Sequence, residues 1–563
     1  MESDEIDYEA LDTHEVRTDQ LDYGPIATEE DVHHVNTPAP GRTVTPSMLE
    51  EDVSNADSWL AYNKGYEQLG FSPADRLTTY NVGGLSREYV IQTDSNGLET
   101  NPVVVPGEPP VMYFTQNNEV VKAANARTGE VYWSYQFSLP KNPSYYIAHR
   151  ERGVGVYEDK VLWGSATAQL VALDQKTGKK LWQADALPQE IKNELPYPWV
   201  GYGITHAPIA YDGKVYVGQI GGDSSGPGFT FAQAFDVKSG KRVWKTPMAP
   251  KDQWVGDTWK HGNASPWMTP GVDTQTDTVF WNTGNPGPML NGLVRPGPNQ
   301  MSAGIVALDA KTGEVNWNSQ MAPQDLWDYD GQFTAMLFDM KVDGETRRVV
   351  SADHKSGWTF TYDVKTGDLV ERSRPFAKQA GNFLGMQPRG KENAKLVWPA
   401  LTGGTAWPPN TYSPKTGMKY VGANDYVAGE YFTPGWKLTA DAGVGGGFTF
   451  PKGLGKQIKQ WGGVRAVDPA SGEIAWEYGF EDYPASSPLQ FVGGVSSTAG
   501  DLVFGTSSGG NIVALDAESG DKLWVDDTGG RITAGPVVWD DPSQGKQYVA
   551  IAADNKIIVY TGS

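Results

Sequence analysis

Short apolar runs recur along this chain, among them Ile305-Val306-Ala307-Leu308 and Ile512-Val513-Ala514-Leu515. Runs of this length bounded by turn residues predict strands. Each is followed by a polar turn and a returning segment that ends on a large ring. The phrase is Asp, four residues, Gly, four residues, Trp. Its complete copies are Asp174–Gly178–Trp182, Asp236–Gly240–Trp244, Asp309–Gly313–Trp317, Asp468–Gly472–Trp476 and Asp516–Gly520–Trp524. A sixth copy begins with asparagine (Asn125–Gly129–Trp133), and a seventh ends with glutamate (Asp363–Gly367–Glu371). Aspartate closes a turn onto its own backbone, and glycine supplies the positive φ that reverses the chain. Each copy therefore predicts an antiparallel hairpin with tryptophan at a fixed outer position. One tryptophan buries roughly 150–250 Å², more than a lone hairpin can cover, so neighbouring copies must cover one another.

Successive first positions of the phrase lie 49, 62, 73, 54, 105 and 48 residues apart. Most of these spacings fit one four-stranded blade with loop insertions. The gap of 105 is about double and predicts a degenerate copy around Tyr412-Ser413-Pro414-Lys415-Thr416-Gly417. Seven visible copies and one hidden copy predict an all-β, eight-bladed β-propeller with tryptophan docking motifs. A linear array is the alternative, but it would expose sheet edges that a closed ring removes. The ring is expected to span residues 56–563. Residues 1–55 are acidic, rich in Thr and Pro, and without alternation; they predict an extended or disordered arm. No helical periodicity of useful length occurs elsewhere.

Composition narrows the function. The formal net charge of −22 argues against nucleic acid as a partner. The chain has no cysteine, which excludes disulfides, thiolate metal sites, cysteine nucleophiles and covalently attached c-type haem. No apolar run is long enough to predict a membrane span. The opening Met-Glu-Ser-Asp-Glu-Ile-Asp lacks the pattern of a signal peptide. That start suits a cytosolic protein or one whose leader has been removed.

The candidate chemistry lies where polar residues interrupt the repeats. Trp327-Asp328-Tyr329-Asp330-Gly331 places two carboxylates two residues apart, on one side of an extended strand or around a cation in a loop. Asn282-Thr283-Gly284-Asn285-Pro286-Gly287 runs from a strand end into a turn, and Gly221-Gly222-Asp223-Ser224-Ser225-Gly226 is a glycine-rich loop with one acid. Asp223, Asn285, Asp328 and Asp330 make an all-oxygen set suited to calcium or a trivalent ion of similar size.

With these motifs in family order, the chain resembles the pyrroloquinoline quinone (PQQ) dependent alcohol dehydrogenases of the methanol and ethanol type. The resemblance runs from Ser58-Trp59-Leu60-Ala61-Tyr62 and Phe71-Ser72-Pro73 to the C-terminus. It implies that Glu99 holds the PQQ rim, Arg152 pairs with a PQQ carboxylate, Thr205 bonds the cofactor and Trp267 stacks on one of its faces. It implies a metal held by Asp223, Asn285, Asp328 and Asp330, a general base at Asp328, and Lys355 bonding the reactive quinone oxygen. A second aspartate at Asp330 resembles the lanthanide-dependent members; calcium members usually carry a small or neutral residue there. A trivalent ion offsets one more buried carboxylate than calcium does.

The resemblance further implies a small alcohol as substrate, an extracytoplasmic location, and a cytochrome or small copper protein as external electron acceptor. Five positions depart from the family pattern. Tyr146 and Ile147 stand where the family has an adjacent cysteine pair. Asp223 replaces a glutamate, Ala406 replaces an asparagine before Trp407, and Val492 replaces a tryptophan before Gly493-Gly494. These departures keep two alternatives open: a non-catalytic binding or assembly propeller, and a PQQ enzyme acting on sugars or polyols.

Overall fold

The computed structural model describes residues 11–12, 25–139, 150–189, 202–221, 230–261, 263–331, 334–382, 389–435, 446–451, 460–483 and 491–562. Among these residues the strands pair into nine sheets. Eight contain a run of four antiparallel strands, and in seven of these the four follow sequence order. The first strand of a sheet is typically buried throughout, as in Val103–Val105, Gly155–Tyr157 and Gly271–Asp273. The fourth is partly exposed, as in Lys180–Asp185 and Ile474–Gly479. This gradient follows from an all-β propeller, whose inner strands face only protein.

The last of these sheets joins the two ends of the ring. Val537–Asp541, Lys546–Ala553 and Lys556–Gly562 pair with Ser86–Gln92 from near the N-terminus, with Ile557 opposite Ile91. Its fourth strand therefore comes from a distant part of the chain. That is why no turn phrase marks this sheet. The degenerate copy expected around Tyr412–Gly417 is not a copy: that turn joins Thr411–Ser413 to Met418–Asp425, the first two strands of the sheet whose last hairpin carries Asp468 and Trp476. The long gap holds instead a ninth sheet built from Lys395–Val397, Ala428–Phe432 and Gly446–Pro451, with Leu11–Asp12 at its edge. Within residues 1–55, Val32–Val35 also lies on a sheet edge, paired to Val131–Gln136, while Pro46–Glu50 forms a short helix with Leu49 buried.

The repeated phrase fastens each sheet to the next. Trp133 Nε1 donates to the carbonyl of Gln175 at 3.0 Å, Trp182 to Val237 at 3.0 Å, Trp244 to Ala310 at 3.2 Å, Trp317 to Val364 at 2.9 Å and Trp476 to Ala517 at 3.1 Å. Each acceptor directly follows the aspartate of a neighbouring copy. The ring lies over that copy's glycine: a β-carbon at Gly178, where φ is +69°, would overlap Trp133. The position thus demands glycine twice, for the turn and for the ring. A register shift recurs one strand earlier, between Ala172 and Leu173, Ala234 and Phe235, and Ala307 and Leu308. Where Glu371 replaces tryptophan, Gly472 faces the Arg372–Ser373 backbone instead.

Trp133 is fully buried. Its replacement by alanine is expected to cost about 3–5 kcal/mol, the range for deleting a buried large aromatic. Chemical denaturation measures this, and an unchanged midpoint would refute the fastening role.

Candidate active site

Segments that enter the first strand of a sheet, and those that join its second strand to its third, emerge at the same end of that sheet, because neighbouring strands are antiparallel. The candidate residues fall on these segments. Glu99 precedes Val103–Val105, Arg152 precedes Gly155–Tyr157, Thr205 precedes Ile209–Tyr211, and Trp267 precedes Gly271–Asp273. Asp328 and Asp330 precede Met336–Val342, while Asn285 follows the second strand Thr278–Asn282 and Lys355 follows Glu345–His354. Residues far apart in sequence thus reach one end of the structure.

They form two clusters. In the first, the Arg152 amide donates to the Thr205 carbonyl at 3.1 Å and its own carbonyl accepts from Asn101 N at 3.2 Å. Arg152 is buried, and its Nη2 lies 2.8 Å from Glu99 Oε2. Arg150 Nη1 takes the other oxygen, Glu99 Oε1, at 2.9 Å. The Arg152 guanidinium carbon lies 5.1 Å from the Trp267 ring centre and 5.9 Å from that of Trp407. Behind Arg152, Glu151 accepts from Trp163 Nε1, and Glu119 accepts from Ala166 N. Burial raises both carboxyls, Glu119 to about 8 and Glu151 also well above the carboxylate range.

Several buried polar atoms in this cluster have no hydrogen-bond partner among the described residues: Arg152 Nε and Nη1, Thr205 Oγ1, Tyr62 Oη and Trp407 Nε1. Each such atom costs roughly 1–3 kcal/mol, so their convergence indicates a polar ligand that satisfies them. Guanidinium, hydroxyl and ring N–H groups between two indoles fit a flat, carboxylate-bearing cofactor such as PQQ.

The second cluster centres on Lys355. Its Nζ lies 2.7 Å from Asp330 Oδ2 and 3.0 Å from Asp328 Oδ2, and Asp330 Oδ1 accepts the Asn285 amide at 2.7 Å. All four residues are buried. Asp330 is therefore no solvated loop acid. The local backbone explains the geometry. Asp325 accepts the amides of Trp327 and Tyr329 at 3.1 and 2.9 Å, and the Tyr329 hydroxyl donates to the Pro399 carbonyl. Between these anchors Asp328 adopts φ +64°, a left-handed conformation that aspartate tolerates better than most residues.

Charge decides which group can take a proton. Burial would lower the Lys355 ammonium pKa, but Asp328 and Asp330 outweigh it and raise it, so Lys355 stays a donor. Burial pushes His354 down to about 3 and His206 down to about 4. Both imidazoles are neutral near pH 7 and tied to Ser356 Oγ and Gly218 N. The group here that can act as a base is a carboxylate. Among the described residues no three His, Cys, Asp or Glu side chains converge on one point. The oxygen donors available to a hard cation are Asp328, Asp330 and Asn285, a set that suits one.

Asp223, Tyr146 and Ile147 lie outside the described residues. Ala406 is buried beside Trp407, and Val492 packs into an apolar cluster with Tyr420 and Val464. Sequence reasoning missed Arg150, Arg531, Tyr62 and Phe491. Arg150 was legible in principle, because residues i and i+2 of extended backbone share a face, which puts it beside Arg152. Nothing local marks the others.

Comparison with known proteins accords with this geometry. Residues 59–378 match the PQQ family described as glucose/ethanol/alcohol dehydrogenase, β-propeller domain, and residues 460–562 match the outer membrane protein assembly factor BamB family. The chain is 29% identical to the quinoprotein alcohol dehydrogenase PedH of Pseudomonas putida, over 91% of this chain and 88% of that one. Its fold superposes on the quinohemoprotein alcohol dehydrogenase ADHIIG of Pseudomonas putida with a TM-score of 0.80 at 25% identity, covering 93% and 82% of the two chains. It superposes on a europium-containing methanol dehydrogenase with a TM-score of 0.79 at 23% identity, covering 92% and 100%; this last is a likeness of fold. These matches define a quinoprotein class of oxidoreductase on an all-β propeller. Within it, the chain belongs to the PQQ-dependent alcohol dehydrogenase family.

Proposed function

We propose that this protein oxidises a small alcohol to an aldehyde, using PQQ and one metal ion, and passes the electrons to a separate cytochrome or small copper protein. The observation that carries the reading is the buried Asp328–Lys355–Asp330 cluster at the same end of the sheets as the unsatisfied polar atoms around Arg152. PQQ and its ion, when bound, supply a two-electron acceptor for the alcohol's hydride and the positive charge that polarises it. Arg152 and Thr205 hold the cofactor's polar rim, with Glu99 orienting Arg152, and Trp267 covers one of its faces. Asp328 accepts the hydroxyl proton of the alcohol. Lys355 donates a hydrogen bond where negative charge develops. Asp330 holds Lys355 in place and, with Asn285, Asp328 and Asp223, completes the metal site.

The second buried carboxylate at Asp330 favours a lanthanide(III) over calcium. We further read the eight four-stranded antiparallel sheets as eight blades docked by the tryptophan contacts, spanning residues 56–563, with residues 1–55 as an arm. An extracytoplasmic location is part of the proposal. No described helix is long and apolar enough to cross a membrane.

The test is reconstitution with PQQ and either lanthanum or calcium, read by the cofactor's absorbance and then by dye reduction across a panel of alcohols. Cofactor uptake with alcohol-dependent dye reduction is expected. No uptake with either ion would overturn the reading in favour of a binding scaffold.

A further inference from the structure

Two turns carry Asn285, Asp328 and Asp330, and one arginine reaches both. Arg295 follows the short helical turn Gly292–Val294 and is buried. Its Nε donates to the Pro288 carbonyl at 3.0 Å, and its Nη2 donates to the Met289 carbonyl at 3.0 Å. Both acceptors lie just past Asn285. Nη2 also donates to the Asp325 carbonyl, in the turn that leads to Asp328 and Asp330. Nη1 donates to Asn299 Oδ1 at 3.0 Å, and Asn299 Nδ2 returns a bond to the Arg295 carbonyl at 3.1 Å. The two segments meet elsewhere as well. Gln324 N donates to the Pro298 carbonyl at 2.9 Å, and a β-carbon at Gly292 would overlap the Leu326 side chain.

Resting on the metal reading above, we infer that Arg295 is a positioning residue that gathers Asn285, Asp328 and Asp330 into one site before the ion arrives. It acts through the backbone. The bonds to Pro288 and Met289 fix the turn that presents Asn285. The bond to the Asp325 carbonyl fixes the turn in which the Asp325 carboxylate accepts the amides of Trp327 and Tyr329, on either side of Asp328. Guanidinium suits this role: its five N–H donors lie in one rigid plane and reach carbonyls on both segments, whereas an ammonium offers three from a single point. Burial lowers the Arg295 pKa to about 10, and Asp325 opposes the fall, so the group stays charged at neutral pH. Its hydrogen bonds are therefore charge-assisted. Ligands gathered in advance spare the ion the cost of ordering two loops. With Arg295 in place, the Asn285 amide already meets Asp330 Oδ1 at 2.7 Å.

The test is terbium binding to the full chain, without substrate and with or without PQQ, read by equilibrium dialysis and by the rate of release into a chelator. Wild type is expected to hold one terbium ion tightly. Arg295→Met is expected to weaken it about 10–100-fold and to speed its release, the range for losing a residue that orients metal ligands. Arg295→Lys should fall between the two, since it keeps the charge and loses the fork. Asn299→Gly accepts the φ of +54° found there and removes only the Nη1 acceptor. It should weaken terbium several-fold, and it serves as the test if Arg295→Met does not fold. Arg348→Met is the control for general stability. The Arg348 guanidinium bonds Asp273 Oδ1 at 3.0 Å, and its loss should lower the unfolding midpoint with terbium affinity unchanged. Folded Arg295→Lys and Asn299→Gly with wild-type terbium affinity and release would overturn the positioning role and leave the metal reading intact. An equal loss of terbium in Arg348→Met would overturn it too. Wild-type protein with no tight terbium site, with or without PQQ, would overturn the metal reading and the positioning role with it.

Discussion

Asp328→Ala is expected to keep the PQQ absorbance band and to lose turnover, with kcat down by at least about 10²–10⁴, the contribution of a positioned general base. The separation follows from geometry. The residues proposed to hold the cofactor rim centre on Arg152, whereas Asp328 belongs to the cluster around Lys355. Neither Lys355 nor His354 can substitute as base. The Lys355 ammonium is held protonated by its two carboxylates, and His354 is neutral and hydrogen-bonded to Ser356 Oγ. Alanine at φ +64° costs about 1–2 kcal/mol, so Asp328→Asn is the companion variant. Asparagine tolerates this backbone and removes only the basic oxygen. Retained cofactor with substantial alcohol oxidation in either variant would sink the assignment.

Asp330→Ala is expected to move metal preference from lanthanum towards calcium by about tenfold, the change that roughly 1.4 kcal/mol produces. Two contacts go with the carboxylate, one to Asn285 N at 2.7 Å and one to Lys355 Nζ at 2.7 Å. Asp330→Asn separates charge from shape, because an amide oxygen still accepts from Asn285 N. If charge sets the preference, both variants shift. If only the hydrogen bond to Asn285 matters, Asp330→Asn behaves as wild type. The readout is alcohol oxidation and metal affinity measured with each ion in turn. An unchanged ratio in both variants would remove Asp330 from the metal site.

The residues that carried the fold reading did so by local chemistry. Asp174, Thr177 and Gly178 form their turn from their own side chains and backbone, with Thr177 N donating to Asp174 Oδ1 at 2.8 Å. A turn of this kind is written within five residues, so the hairpins were legible. The error around Tyr412–Gly417 has the opposite cause. That turn obeys the same local rules but joins the first two strands of its sheet, and strand rank within a sheet is set by long-range pairing. The last sheet left no phrase at all, since Lys556–Gly562 and Ser86–Gln92 meet across nearly the whole chain.

The site divides along the same line. Asp328 and Asp330 were visible as a spaced pair, and Arg152, Thr205 and Lys355 as motif positions. Their burial, the salt bridges to Lys355 and the left-handed backbone at Asp328 depend on Asp325, Tyr329 and Pro399, none of which the motif contains.

The sequence by itself determined what neighbouring residues settle: a turn-and-tryptophan repeat, an all-β propeller, and the candidates for base, metal and cofactor contacts. Tertiary structure alone decided which of those candidates meet. It set Lys355 between two buried carboxylates, and engaged Glu99 with Arg150 as well as Arg152. Charge states and ligand preference arise from that convergence, because burial and proximity to other charges fix a group's protonation, and both exist only once distant segments pack.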